Sequence, residues 1–231
     1  MNEQEGSEVQ DAGGDRQGRV YTVNVGQVRE IEWLGHPATT AIWKSPVEGR
    51  IQLRGVNFIG DDQADRLVHG GRDKAVYSYS LQDEEWWAEH LDRPMEPGNF
   101  GENLTLTDFD VTGAVIGQQW AVGSALLEVA QPRVPCWKLG ARMGDPNFPP
   151  RFAAAGRPGA YLRILREGGI AAGDPVNIVH TPAHGVTAGD VARIYHSDHS
   201  QIATLLEVPE LADVLKKWAA RVAKHALRKS R

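Results

Sequence analysis

The 231-residue chain has a single cysteine, Cys136, so it can close no internal disulfide. The thiol therefore serves chemistry or is a small buried hydrophobe. No C-x-x-C pair occurs, which excludes an iron–sulfur cluster or zinc ribbon of ordinary spacing. A G-x-x-x-x-G-K-[ST] phosphate loop and a strand-borne G-x-G-x-x-G are also missing. No apolar run is long enough to span a bilayer, so no transmembrane helix is expected. Positive charge is in deficit: the formal net charge is −5, which argues against general nucleic-acid binding through phosphate neutralisation. Residues 1–19 are polar, with no apolar stretch, and read as a flexible tail rather than a signal or transit peptide. With one cysteine and no export signal, a reducing, cytoplasmic setting is expected.

What is present is an ordinary globular composition, 41% hydrophobic and 24% charged. Val20 to Gly26, Ile51 to Val56 and Tyr161 to Arg166 alternate apolar and polar residues, the period of half-buried strands. Trp120 to Ala130 and Pro175 to His180 read as further strands, and Glu167-Gly168-Gly169 as a turn. Short strands divided by Gly/Pro clusters predict a mostly β fold, a closed or partly open β-barrel with peripheral helices. Ser80 to Leu91 predicts a helix with Ser80 as N-cap and Trp86, Trp87 and Leu91 as its packing surface. The character changes near residue 186. Thr187 to Asp190 resembles a capping box, and three short helices follow, the last with Leu211, Val214, Leu215, Trp218 and Val222 on one face. The expected division is a tail over 1–19, a β-barrel domain over 20–183 and a three-helix appendage over 184–231.

Three segments carry groups that packing does not require. In Gly60 to Tyr77, a His69-Gly70-Gly71 turn lets backbone N–H groups approach a ligand, and Lys74 adds a fixed charge. The same run also reads as a surface turn with solvated charges. In Pro97 to Leu104, Glu102 and Asn103 put a carboxylate and an amide at the mouth of a strand, where they orient a ligand or merely cap backbone. In Gln131 to Leu139, Cys136 lies between Arg133 and Lys138, charges that favour the thiolate. Lys44 offers one more anion contact. His180/His184 and His196/His199 read as incidental rather than as zinc ligands. For the appendage, a helix-turn-helix DNA reader is the sharper but weaker alternative.

The run from Gly60 to Asp65, His69 to Tyr77, Phe100 to Leu104 and Gln131 to Leu139, in that order, resembles a MOSC domain of the YiiM-like type, and the tail resembles its "3-alpha" domain. The resemblance covers roughly Val20 to His180. It implies a molybdenum cofactor (molybdopterin) in the pocket, with Cys136 as metal ligand and catalytic thiol. It implies an oxidoreductase that reduces N-hydroxylated compounds such as 6-hydroxylaminopurine, as a detoxification. Lys44, Gly70, Gly71, Lys74, Asn103, Arg133 and Lys138 are the expected cofactor contacts. Gly101-Glu102 stand where the related amidoxime-reducing component carries Arg-Pro, so Lys74, Arg133 and Lys138 take the phosphate on charge alone. His69, Asp61 or Glu102 supplies protons. Electrons come from a separate reductase or ferredoxin-like partner; a homodimer is compatible with this reading. The alternative is a persulfide carrier or a cofactor delivery or sulfuration protein using Cys136. Pyridoxal phosphate then belongs to a separate desulfurase, not to this chain.

Overall fold

The computed structural model describes residues 17–64 and 70–229. Most of the expected N-terminal tail, and His69, lie outside the described residues.

The first alternating segment forms β1 (Arg19–Val25). Val20 and Val23 are both buried although three residues apart, because the pairing shifts register between Val20 and Thr22. Such a bulge turns the inward face by one residue. The remaining strands are β2 (Arg29–Trp33), β3 (His36–Thr40), β4 (Ser45–Val47), β5 (Ile51–Arg54), β6 (Asn57–Phe58), β7 (Val76–Ser80), β8 (Leu104–Thr107), β9 (Gln119–Val122), β10 (Ala125–Pro132), β11 (Ala160–Arg166), β12 (Gly168–Ile170) and β13 (Val176–His180). The main sheet has eight strands in the order β13-β9-β10-β11-β7-β8-β1-β4. All its pairs are antiparallel except β7–β8. A parallel pair needs a crossover, and helix α1 (Leu81–Leu91) provides it.

The fold is mostly β with peripheral helices, as expected, but of the closed or partly open barrel the closed form is not present among the described residues. The ladder ends at β13 and at β4. A lone bridge between Arg19 and Pro175 brings β1 against the approach to β13, so the sheet curves round without a continuous closing ladder. Alternation is a property of single strands and carries no information on closure. Gly168–Ile170 is likewise a strand, not a turn: β12 pairs with β5 in a separate three-stranded sheet.

Helices α2 (Trp137–Met143) and α3 (Phe148–Ala155) follow Cys136 and were not expected from the sequence. Pro149 and Pro150 open α3, where a missing N–H costs nothing. The tail has helices α4 (Ala188–His196), α5 (Ile202–Leu206) and α6 (Asp213–Lys229), with a 3-10 turn before α5. Thr187 and Asp190 form the reciprocal capping box. Leu211 precedes α6 and Val214 is exposed, so the packing face is carried by Leu215, Trp218, Ala219 and Val222. None of the described helices is long and apolar enough to cross a membrane.

Two apolar clusters fill the molecule. One joins the sheet residues Leu53, Trp120, Val129 and Leu162 to the tail residues Val191, Leu205 and Leu215. The other is aromatic: Tyr77, Tyr79, Trp87, Phe100, Phe148 and Phe152 pack between the sheet, α1 and α3. β7 is buried along its whole length because Val76 faces the first cluster and Tyr77 and Tyr79 the second.

Because the tail helices share the sheet's core, Leu205→Ala should cost about 2–5 kcal/mol of unfolding free energy, seen as an earlier single transition of the whole chain. Tryptophan fluorescence and far-UV circular dichroism should report it together. An early loss of helix with the sheet unaffected would contradict a shared core.

Candidate functional site

The site begins with the segment from Ile42 to Lys44, which links β3 to β4. Two glycines let other backbone close on it. A Cβ on Gly26 would stand 2.5 Å from the Trp43 carbonyl oxygen, and one on Gly98 would overlap the Lys44 carbonyl. Gly98 also has φ +90°, a conformation that side chains resist. Held this way, Lys44 is buried and its Nζ donates to Asp61 Oδ1. The Asp61 carboxylate is 1% exposed. It also accepts from Gly26 N (2.8 Å) and, through Oδ2, from Asn103 Nδ2 (2.8 Å). A buried ion pair is tolerable only when its remaining hydrogen-bonding capacity is met in this way. Burial drives the Lys44 ammonium pKa below its ordinary value, and Asp61 opposes the shift.

Asn103 is equally committed. Its Oδ1 accepts from Tyr77 N (3.1 Å), and Nδ2 donates to Asn24 O (3.2 Å) as well as to Asp61. Asp61 and Asn103 thus brace the wall; with three donors on it, the carboxylate is held as an acceptor.

The opposite wall comes from the end of β10 and the start of α2. Cys136 is the N-cap residue of α2, extended at φ −131° and ψ 175°. Arg133 is buried and its Nη1 donates to the Phe100 carbonyl. Its guanidinium lies 4.9 Å from the Tyr77 ring centre. Burial opposes its charge, but Tyr161, Tyr77 and the Cys136 sulfur outweigh this and raise its pKa. The Tyr77 hydroxyl donates to Pro158 O (2.9 Å), which fixes the ring beneath the guanidinium.

Between these walls is a cavity of about 630 Å³, its open mouth included. Cys136, Asp61, Lys44, Lys74, Asn103, Arg133 and Lys138, all expected from sequence, line it together. Among the described residues the lining carries four basic side chains against the two carboxylates Asp61 and Asp62, a surplus of two positive charges. Tyr77, Tyr161 and Gln63 also line it and were not anticipated. The signal for the tyrosines was cross-strand pairing, since Tyr161 is the partner of Tyr77. Gly70 and Gly71 are not among the lining residues; Gly71 opens the 3-10 turn that carries Lys74.

Glu102 stands apart from the other expected residues. It is fully buried and does not line the cavity, whereas Gly101 and Asn103 do. Gly101 N donates to Gly98 O (3.0 Å) in a tight turn, and the Glu102 carboxylate folds back onto the backbone of that turn instead of entering the cavity. Its oxygens accept from Gly98 N, Phe100 N (3.0 Å) and Thr105 Oγ1 (3.0 Å). A hydrogen bond joins it to Glu84 on α1, and burial raises both carboxyls, that of Glu84 to about 10. Two buried carboxyls in contact keep at least one proton between them.

The donor set fits a cofactor that brings its own metal ligands. Among the described residues no group of three or more His, Cys, Asp and Glu side chains is placed to hold a metal ion. The Cys136 sulfur can supply one soft donor, and the surplus positive charge suits a phosphate.

A family model described as "MOSC domain" matches residues 65–177. The chain is 31% identical to the uncharacterized protein YflK of Bacillus subtilis, over 89% of this chain and 93% of that protein. It is 30% identical to a protein of Gibberella moniliformis named "Reductase", over 84% of this chain but 35% of that longer protein. The crystal structure of YiiM from Geobacillus stearothermophilus superposes with a TM-score of 0.74 at 28% identity, covering 88% of this chain and 98% of that one.

Two outcomes follow from the buried charges. Asp61→Ala strands the Lys44 ammonium and should cost about 3–5 kcal/mol in urea unfolding; a loss below about 1 kcal/mol would show that the pair is not structural. Above the ordinary carboxyl value of 4.5 the unfolded chain sheds a proton that native Glu84 keeps. Its contribution is therefore full below about pH 4.5 and is lost progressively as pH rises toward 10. Glu84→Gln, neutral and still a donor, should gain about 1–3 kcal/mol over the wild type at pH 8 and nothing at pH 4. Equal gains at both values would contradict the assignment.

Proposed function

The chain belongs to the MOSC domain family, and from that membership and its thiol-bearing, cation-lined cavity we propose that it is a molybdenum-cofactor-dependent reductase of N-hydroxylated compounds. The observation that carries the reading is the placement of Cys136 in a cavity whose described residues hold a surplus of positive charge. The family resemblance and the name of the fungal relative, "Reductase", support reductive chemistry.

In this reading the Cys136 sulfur ligates the metal. Lys74, Arg133 and Lys138 hold the cofactor's phosphate. Lys44 has its charge matched by Asp61 and acts by fixing the wall. When bound, the cofactor supplies two-electron redox chemistry at molybdenum. The overall change is R–NH–OH + 2 e⁻ + 2 H⁺ → R–NH₂ + H₂O, with the electrons drawn from a separate reductase or ferredoxin-like protein. Asp61 accepts from three donors and in this reading braces the wall. Tyr77 and Tyr161 line the same cavity as the thiol.

Protein purified from a cofactor-competent host should contain molybdenum and reduce 6-hydroxylaminopurine with a reduced viologen as donor. Cys136→Ala should lose at least tenfold of both metal content and activity. Full metal content and activity in that variant would overturn the reading. A stable persulfide on Cys136 in protein without molybdenum would replace it with the carrier role.

A further inference from the structure

A second group of basic side chains lies beyond the cavity and is not used by the reading above. Trp43, next to Lys44, has the Arg29 guanidinium 4.0 Å from its ring centre and that of Arg142 at 5.8 Å. Arg93 is the third member, close enough that its charge and that of Arg29 both act on Arg142. Arg93 has a structural explanation, because it donates to the Met143 carbonyl (3.3 Å) at the negative end of α2. Arg29 has the tryptophan face, a favourable seat for a guanidinium.

Arg142 has neither compensation in full. It is half-buried, and its Nε is a buried donor with no hydrogen-bond partner. Among the described residues no carboxylate lies within ion-pair distance of Arg29, Arg93 or Arg142. The acidic groups that act on Arg142 from further off are the buried Glu102 and the exposed Glu96. An unmet buried donor on a cation, beside two like charges, is costly unless an anion is present.

The position of the cluster says which anion it suits. Lys138 lines the cavity, and Arg142 is four residues further along α2, on the same helix face. The rise along α2 from Cys136 to Arg142 is on the order of 9 Å. That is the scale of the span from an exocyclic base nitrogen to the 5′-phosphate of a nucleotide. The cavity already holds Lys74, Arg133 and Lys138 for the cofactor's phosphate, so the outer arginines form a separate site.

We infer that the Arg29–Trp43–Arg142 cluster binds the phosphate of a phosphorylated substrate, so that the N-hydroxylated compound is taken as a purine nucleoside 5′-monophosphate. The inference rests on the reductase reading for the reacting end of the substrate, and on the arginine cluster alone for the phosphate. Guanidinium groups suit this task because their planar forks match phosphate oxygens.

Titration calorimetry on the cofactor-free protein tests it, with adenosine 5′-monophosphate and adenosine as probes at one fixed ionic strength. The monophosphate should bind at least tenfold more tightly than the nucleoside. Arg142→Gln and the exposed Arg29→Gln should each remove about tenfold of that preference, while Lys217→Gln on α6 should leave it intact. Equal binding of the two probes, or a preference that survives both arginine variants, overturns the proposal. So does loss of molybdopterin from holoenzyme in Arg142→Gln with the monophosphate preference retained, because the cluster would then serve the cofactor. Cys136→Ala should keep the preference, so failure of metal ligation and failure of phosphate binding are read separately.

Discussion

The Lys44–Asp61 pair is the constraint on which the cavity depends. Two charges are taken out of water at a place where four parts of the chain meet. These are the turn after β1 at Gly26, the segment before β4, the loop at Asp61 and the entry to β8 at Asn103. Desolvation makes such a pair expensive, and geometry decides whether it is tolerated. Here the carboxylate receives a backbone donor and an amide donor besides the ammonium. Glycine at 26 and 98 makes the approach of the Lys44 segment sterically feasible. The pair therefore acts as a clamp, and the wall facing Cys136 inherits its rigidity.

The other wall is stiffened by different means. Tyr77 and Asn103 stand at the head of the parallel β7–β8 pair, where Asn103 N donates to Tyr77 O (2.7 Å) and Tyr77 N to the Asn103 side chain. Behind them the rings of Tyr79, Phe100 and Phe152 pack between sheet and helices. Arg133 rests on this aromatic floor and is tied to the Phe100 carbonyl. A guanidinium held in place beside the Cys136 sulfur supplies its field without a reorganisation cost, as a preorganised ligand site requires. The electrostatics of the cavity thus follow from packing well outside it.

Much of this was legible in the order of residues. Alternation located β1, β5 and β11, a run of strand formers after Pro175 located β13, the apolar residues of Ser80 to Leu91 located α1, and Thr187 and Asp190 announced the cap of α4. The charged groups that converge on the thiol were legible as motifs, because glycines and prolines mark where backbone turns toward a ligand. Other features were hidden for physical reasons. α2 and α3 are short, and they carry Gly140, Pro149 and Pro150, which read as loop. The open edge between β4 and β13 depends on long-range curvature that no local pattern encodes. The burial of Glu102 beside Glu84 was hidden as well, because it depends on the turn at Gly98 to Gly101 and on the packing of α1 against it. Arg142 shows no motif, and only folding places it next to Trp43.

The central claim is that the sulfur of Cys136 is bonded to the metal of a cofactor held in this cavity. X-ray absorption at the molybdenum edge of the purified holoenzyme addresses it directly, with Cys136→Ser as comparison. The account predicts that the variant's metal shell loses one sulfur scatterer and gains a lighter atom in its place. A sulfur shell identical in the two proteins would contradict it.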